Sequence, residues 1–161
     1  KRQQMDIVYV LTIDTTKHPN LGVIDDATAL HLVVALRSRR PQHVAEMFEL
    51  IWVNPFGKPQ LIKADQDGSF MGAFLGRMNE LGVPVDMIPA EAHWQIGRVE
   101  RHNHAWRFMA NRVIDQVSAV TYDQLQIVAT AVTHAKNSTV TKYGPYHAVG
   151  CEKLAPLRRG P

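Results

Sequence analysis

The pattern of apolar and polar positions reads first as strands, then as strands alternating with helices. Residues 4–12 are apolar and rich in β-branched types, which predicts a strand. Turn chemistry follows from 14 to 20, with Lys17, His18, Pro19 and Asn20. Residues 21–25 predict a second strand and 28–36 a third, together an antiparallel meander. Pro41 then sits well at the first turn of a helix. Val44, Met47, Phe48 and Ile51 form its inner face, and Pro55-Phe56-Gly57 ends it. Residues 60–64 predict a short buried strand ending at Asp65. Residues 69–81 predict a helix with Phe70, Phe74, Leu75 and Met78 inward, stopped by Gly82. Residues 83–88 predict a fifth strand.

A long helix is expected from Gly97, behind a loop. Val99, Trp106, Met109, Val113 and Val117 recur at steps of three, four or seven and form one stripe. Glu100 projects from the edge of that stripe and shares its face with His104 and Arg107. A last helix, 122–136, has Thr121 as N-cap and Leu125, Val128, Ala129 and Val132 inward. The order βββαβαβαα predicts an α/β fold: a five-stranded mixed sheet with helices on both faces.

Composition narrows the functional classes. The 161 residues suffice for about one domain. Residues 1–140 are assigned to it, and 141–161, punctuated by Gly and Pro, to a C-terminal extension. No run approaches the roughly 18 apolar residues of a membrane span, so no membrane partner is expected. One cysteine, Cys151, leaves no disulfide frame and no cysteine-rich zinc site within the chain. The net charge of +3 permits a polyanionic partner without demanding one.

The candidate chemistry is acidic. Phosphoryl transfer on two divalent cations needs carboxylates distant in sequence that converge at one place in the fold. Glu100 lies at a helix start between Arg98 and Arg101, which suits a cation on the carboxylate and phosphates on the arginines. Asp65 ends the fourth strand. On the first strand Asp6 is the choice over Asp14, which abuts the turn. Asp67 competes with Asp65, and Asp25 and Asp26 read as strand-end and turn residues. Gln95, Arg98 and Arg101, with Trp94, are the candidate DNA contacts. Arg37, Arg39 and Arg40 read as a charged loop.

These residues carry a resemblance. His93-Trp94-Gln95-Ile96-Gly97-Arg98-Val99-Glu100-Arg101 resembles the third catalytic motif of retroviral and retrotransposon integrases. In that family Gly-x-x-Glu opens the helix carrying the last acid of a DDE triad. Ala64-Asp65-Gln66-Asp67-Gly68-Ser69-Phe70 resembles the family's Asp-x-Gly-x-x-Phe segment with one extra residue before Gly68. Asp65 and Glu100 have 34 residues between them, close to the family's usual interval. Gln4-Met5-Asp6 resembles the start of its first strand. Tyr143-Gly144-Pro145-Tyr146-His147-Ala148-Val149-Gly150 resembles the segment that follows its last helix.

The resemblance implies an RNase H-like fold and the catalytic core of a long-terminal-repeat retrotransposon integrase, nearer the copia-like type. It implies Asp6, Asp65 and Glu100 as ligands of two Mg²⁺ or Mn²⁺ ions. It further implies trimming of element DNA ends and their joining to target DNA, action on genomic DNA inside the cell, and a homo-oligomer, dimer or higher. The family's zinc-binding and C-terminal DNA-binding domains are not in this chain, which suggests a piece of a longer polyprotein. The rivals are another RNase H-like nuclease or transposase, and a domesticated, non-catalytic nucleic-acid-binding module.

Overall fold

The structure is a computed structural model and describes residues 2–141 and 144–145. β1 (Arg2–Leu11) and β2 (Lys17–Asp25) form an antiparallel hairpin, and β3 (His31–Ala35) pairs antiparallel with β2. β4 (Leu61–Asp65) joins the other side of β1 in parallel, and β5 (Val85–Ile88) joins β4 in parallel. The strand order is therefore β3-β2-β1-β4-β5, with β1 at the centre. This is the mixed sheet expected from the sequence.

A central strand must bury both faces, and β1 does so by alternation. Met5 belongs to a core layer with Phe48, Trp52, Phe70, Phe74 and Met78. These come from α1 (Pro41–Phe48), the helical turns beyond it, the 3₁₀ turn Gly68–Phe70 and α3 (Ala73–Glu80). Val8 and Val10 belong to a second layer with Trp106, Ala110, Ile114, Leu125 and Val128. That layer is closed by α4 (Gly97–Val117) and α5 (Tyr122–Ser138). Each fully buried large apolar side chain contributes about 1.5–3 kcal/mol, so the two layers pin the register of β1 from both sides.

The edge strand β3 is sealed by side chains of α5, which satisfies polar groups that would otherwise be open to another strand. Asn137 accepts from the His31 amide at 3.3 Å and donates to its carbonyl at 2.7 Å. Gln126 accepts from the Ala35 amide, and the Tyr122 hydroxyl donates to the Ala35 carbonyl. Thr121 caps α5 with Gln124 in a reciprocal capping box.

Several elements differ from the sequence expectation. β2 starts at Lys17, inside the stretch read as a turn. Pro19 is tolerated there because it lies at the end of the β2–β3 ladder, just past the pair of Asn20 with Ala35, where the Leu36 amide still donates to its carbonyl at 2.9 Å. Residues 28–30 are not strand. Asp25 accepts from the Thr28 amide and hydroxyl, and Ala29 takes φ 58° to close the turn. The first helix runs on from Phe48 through a π-helical stretch, Glu49–Val53, into α2 (Asn54–Phe56). Gly57, at φ 81°, ends it. Residues 90–96, expected as loop, form a 3₁₀ stretch, Ala90–Ile96, that leads into α4.

The buried stripe of α4 is Val99, Asn103, Trp106, Ala110 and Ile114, whereas Val117 is 54% exposed. It is thus rotated from the expected one. Two-residue strands β6 (Val140–Thr141) and β7 (Gly144–Pro145) pair antiparallel. The rest of the segment 143–150, and the extension beyond it, lie outside the described residues.

Candidate active site

The parallel ladder between β1 and β4 pairs Met5 with Ala64, so the next residues, Asp6 and Asp65, lie side by side. Met5 and Ala64 are fully buried in the layer of Phe48 and Phe70. Alternation turns both carboxylates to the opposite face, towards α4.

Three hydrogen bonds fix how α4 lies along β1. Gln4 accepts from the Val99 amide at 3.1 Å, satisfying one of the free donors of the helix's first turn. The Asn103 amide donates to Asp6 at 3.0 Å. Asn111 accepts from the Leu11 amide at 3.4 Å. Glu100, in the first turn of α4, is thereby brought to the same end of the sheet as Asp6 and Asp65.

The carboxylates sense one another. Burial pushes the Asp6 carboxyl up to about 6, and repulsion from Asp65 and Glu100 adds to this, while the Asn103 hydrogen bond opposes it. Burial also raises Asp65, with repulsion from Asp67 and Glu100 added and His93 opposing. Asp65 Oδ1 is buried without a hydrogen-bond partner among the described residues. Mutually repelling carboxylates with an orphaned buried oxygen fit a divalent cation, which relieves the repulsion and satisfies the oxygen. Glu100 fits less directly: it is turned to His93, whose Nδ1 lies 3.2 Å from Oε1. Among the described residues no three His, Cys, Asp or Glu side chains form a group close enough to hold an ion.

The competing acids have other work. Asp14 lies in the β1–β2 turn, where the Thr12 hydroxyl and the Thr16 amide donate to it, and these bonds hold its carboxyl below the usual range. It is eight positions along from Asp6 and does not join the cluster. Asp67 caps the 3₁₀ turn by accepting from the Ser69 amide at 2.7 Å and pairs with Arg39. Asp25 is buried and bonded to Gln3 and Thr28, and Asp26 accepts from Gln4. These two sit at the end of β2 and in the turn after it, as the sequence predicts.

Among the candidate DNA contacts, Gln95 accepts from Lys63 at 3.1 Å and Arg98 donates to the Asp26 carbonyl. Arg101 is exposed, and Trp94 is 79% exposed. The charged loop is tied to the fold by its arginines: Arg37 stacks 3.9 Å from the Tyr122 ring centroid and pairs with Asp123, and Arg39 pairs with Asp67 and donates to the Ser69 hydroxyl at 3.1 Å.

Three residues of the site were not singled out from the sequence. His93, quoted only as a letter of the motif, contacts Glu100. Asn103, four positions after Val99, is a buried polar residue of α4 that a stripe read from apolar residues alone does not include. Gly22 faces Asp6 across the β1–β2 ladder. A Cβ there would come within 2.1 Å of Asn103 Oδ1, so only glycine leaves room for the amide to reach Asp6.

No protein-family model matches the chain, and none of the curated proteins matches it. Solved structures do. The HTLV-2 integrase catalytic core domain in complex with magnesium, in its trimeric form, aligns at TM-score 0.73 and 16% identity, covering 90% of this chain and 91% of that one. Its dimeric form, also with magnesium, aligns at TM-score 0.71 and 13% identity, covering 90% of each chain. A chain of the simian T-cell lymphotropic virus intasome in complex with PP2A regulatory subunit B56 gamma aligns at TM-score 0.78 and 14% identity. That match covers 99% of this chain and 58% of the intasome chain. At these identities the likeness is one of fold, and the chain has the RNase H-like fold of retroviral integrase catalytic cores.

Proposed function

We propose that this chain is the catalytic core of a metal-dependent polynucleotidyl transferase. In this reading it is a DDE integrase of a long-terminal-repeat retrotransposon, nearer the copia-like type, that processes element DNA ends and joins them to target DNA. The observation that carries the reading is the juxtaposition of Asp6 and Asp65 on neighbouring parallel strands, with Glu100 close enough to raise both. The HTLV-2 cores of the same fold hold magnesium, which supports Mg²⁺ or Mn²⁺ here.

Asp6, Asp65 and Glu100 are the residues that would hold two such ions. When bound, the ions supply Lewis-acid activation of the nucleophile and stabilise the leaving oxygen of an in-line displacement at phosphorus. Asn103 keeps Asp6 oriented and favours its ionised form. His93 holds Glu100 at the edge of the cluster. Gln95, Arg98 and Arg101 place the DNA backbone, with Trp94 offering a face for a base. The likeness to dimeric and trimeric cores supports a homo-oligomer of two or more copies. The setting would be genomic DNA inside the cell. No helix among the described residues is long and apolar enough to cross a membrane.

One observation favours a second reading, a non-catalytic nucleic-acid-binding module: Glu100 contacts His93 and does not complete a three-acid group. Metal titration separates the two. Ligands that bind only the folded state raise its stability. Millimolar Mn²⁺ raises the melting temperature of the wild type and leaves Asp65→Asn unmoved if the catalytic reading holds. A wild type indifferent to Mn²⁺ favours the module.

A further inference from the structure

We propose that His31 is a positioning residue: its Nε2–H fixes the Asn103 side chain so that the amide NH₂, and not the amide oxygen, faces Asp6. The inference rests on the reading of Asp6 as a working carboxylate.

The two ends of an Asn amide are nearly alike in shape, so its partners choose the orientation. On one side, Asn103 Nδ2 lies 3.0 Å from Asp6 Oδ2. On the other, Asn103 Oδ1 lies 2.9 Å from His31 Nε2. The backbone of Gly22 packs beneath, leaving no space for a Cβ and confining the amide to its plane. Two arrangements remain, related by turning the amide over. With Nε2–H on His31, Oδ1 accepts from the ring and NH₂ donates to Asp6. With a bare Nε2, the amide prefers to turn its NH₂ to the ring, and its oxygen then faces a carboxylate.

The surroundings of His31 select the first arrangement. His31 is fully buried, and its Nδ1 has no hydrogen-bond partner among the described residues. A proton there would be a buried donor without an acceptor. The nearby Lys136 also disfavours added positive charge on the ring, which burial already holds neutral, with its pKa lowered to about 3. The residue has little freedom to move. Asn137 clamps its backbone N–H and C=O, and the His102 ring packs edge-on at 5.6 Å between centroids. A histidine on the edge strand thus sets the donor that reaches the acid of the central strand.

Two measurements test this. Long-range ¹H–¹⁵N correlation on the metal-free wild type is expected to show His31 as the neutral Nε2–H tautomer. An Nδ1–H form would overturn the proposal. The second compares His31→Leu with His31→Gln, whose amide N–H can still donate to Asn103. With branched DNA saturating, His31→Leu is expected to lower the single-turnover rate about tenfold, the usual scale for a partner behind a ligand. The affinity for DNA stays unchanged, and His31→Gln recovers most of the rate. A Gln variant as slow as Leu, or a loss of affinity in place of rate, would overturn it. A wild type inert on DNA would sink the functional reading alone. The tautomer, and the Asn103 NH₂ resonances, expected to shift in His31→Leu and return in His31→Gln, would still decide this proposal.

Discussion

Gly22 lies beneath the Asn103 amide, on the strand position facing Asp6, and a Cβ built on it would sit 2.1 Å from Asn103 Oδ1. The close approach is what lets a helix side chain reach a carboxylate on the central strand. Gly22→Ala therefore forces Asn103 off Asp6. Overpacking of this kind costs about 1–3 kcal/mol, and activity on DNA should fall with it. Chemical denaturation measures the cost. An alanine variant as stable and as active as wild type would show that the Asn103 contact is not needed.

Asp6 makes stability depend on pH in a defined direction. Its folded-state pKa, about 6, lies above the ordinary 3.8. Between those values the folded protein holds the extra proton, so its relative stability is present below about pH 4 and lost as pH rises to about 6. The difference corresponds to at most about 3 kcal/mol at 1.36 kcal/mol per unit. Asp6→Asn removes the penalised charge. In chelator the variant should melt above wild type at neutral pH, and the gap should close near pH 4. Asp6→Asn should also abolish activity. Asp14→Asn, which loosens only the β1–β2 turn, should spare it. The reverse pair of activities would move the first acid to Asp14.

Arg101 and Arg98 separate by their surroundings. Arg98 is engaged with the Asp26 carbonyl, whereas Arg101 is an exposed residue beside Glu100. Each phosphate contact contributes about 0.9 to the slope of log affinity against log salt. Arg101→Ala should reduce that slope by about one contact while leaving the Mn²⁺-induced rise in melting temperature intact. Fluorescence anisotropy across a salt series reads the slope. An unchanged slope would remove Arg101 from the DNA surface.

Much of this architecture was legible because alternation and helical spacing report burial directly. β1 shows the pattern on both faces, and the run from Gly97 to Glu100 marks the start of α4 where the structure has it. What was hidden is polar. Asn103 occupies a core position of α4 because Asp6 and His31 both need it, and a reading of apolar residues alone slides the stripe to Val113 and Val117. Lys17 to Asn20 look like a turn by composition, yet hairpin pairing with β1 holds them in β2. The contact of His93 with Glu100 spans seven residues across a 3₁₀ stretch, a geometry that helical spacing does not predict. The convergence of Asp6 with Asp65 depends on parallel pairing of strands far apart in the chain, which local pattern cannot supply.

Glu100 is the acid on which the account turns, since it alone leaves the cluster for a histidine. The most direct test is the rate at which wild type and Glu100→Gln resolve a branched DNA substrate in Mn²⁺, a reaction that asks only for the core. The account predicts that wild type resolves it and that Glu100→Gln does not, with an amide in place of the carboxylate that must hold the metal. Retained activity in Glu100→Gln, or none in wild type, would contradict it.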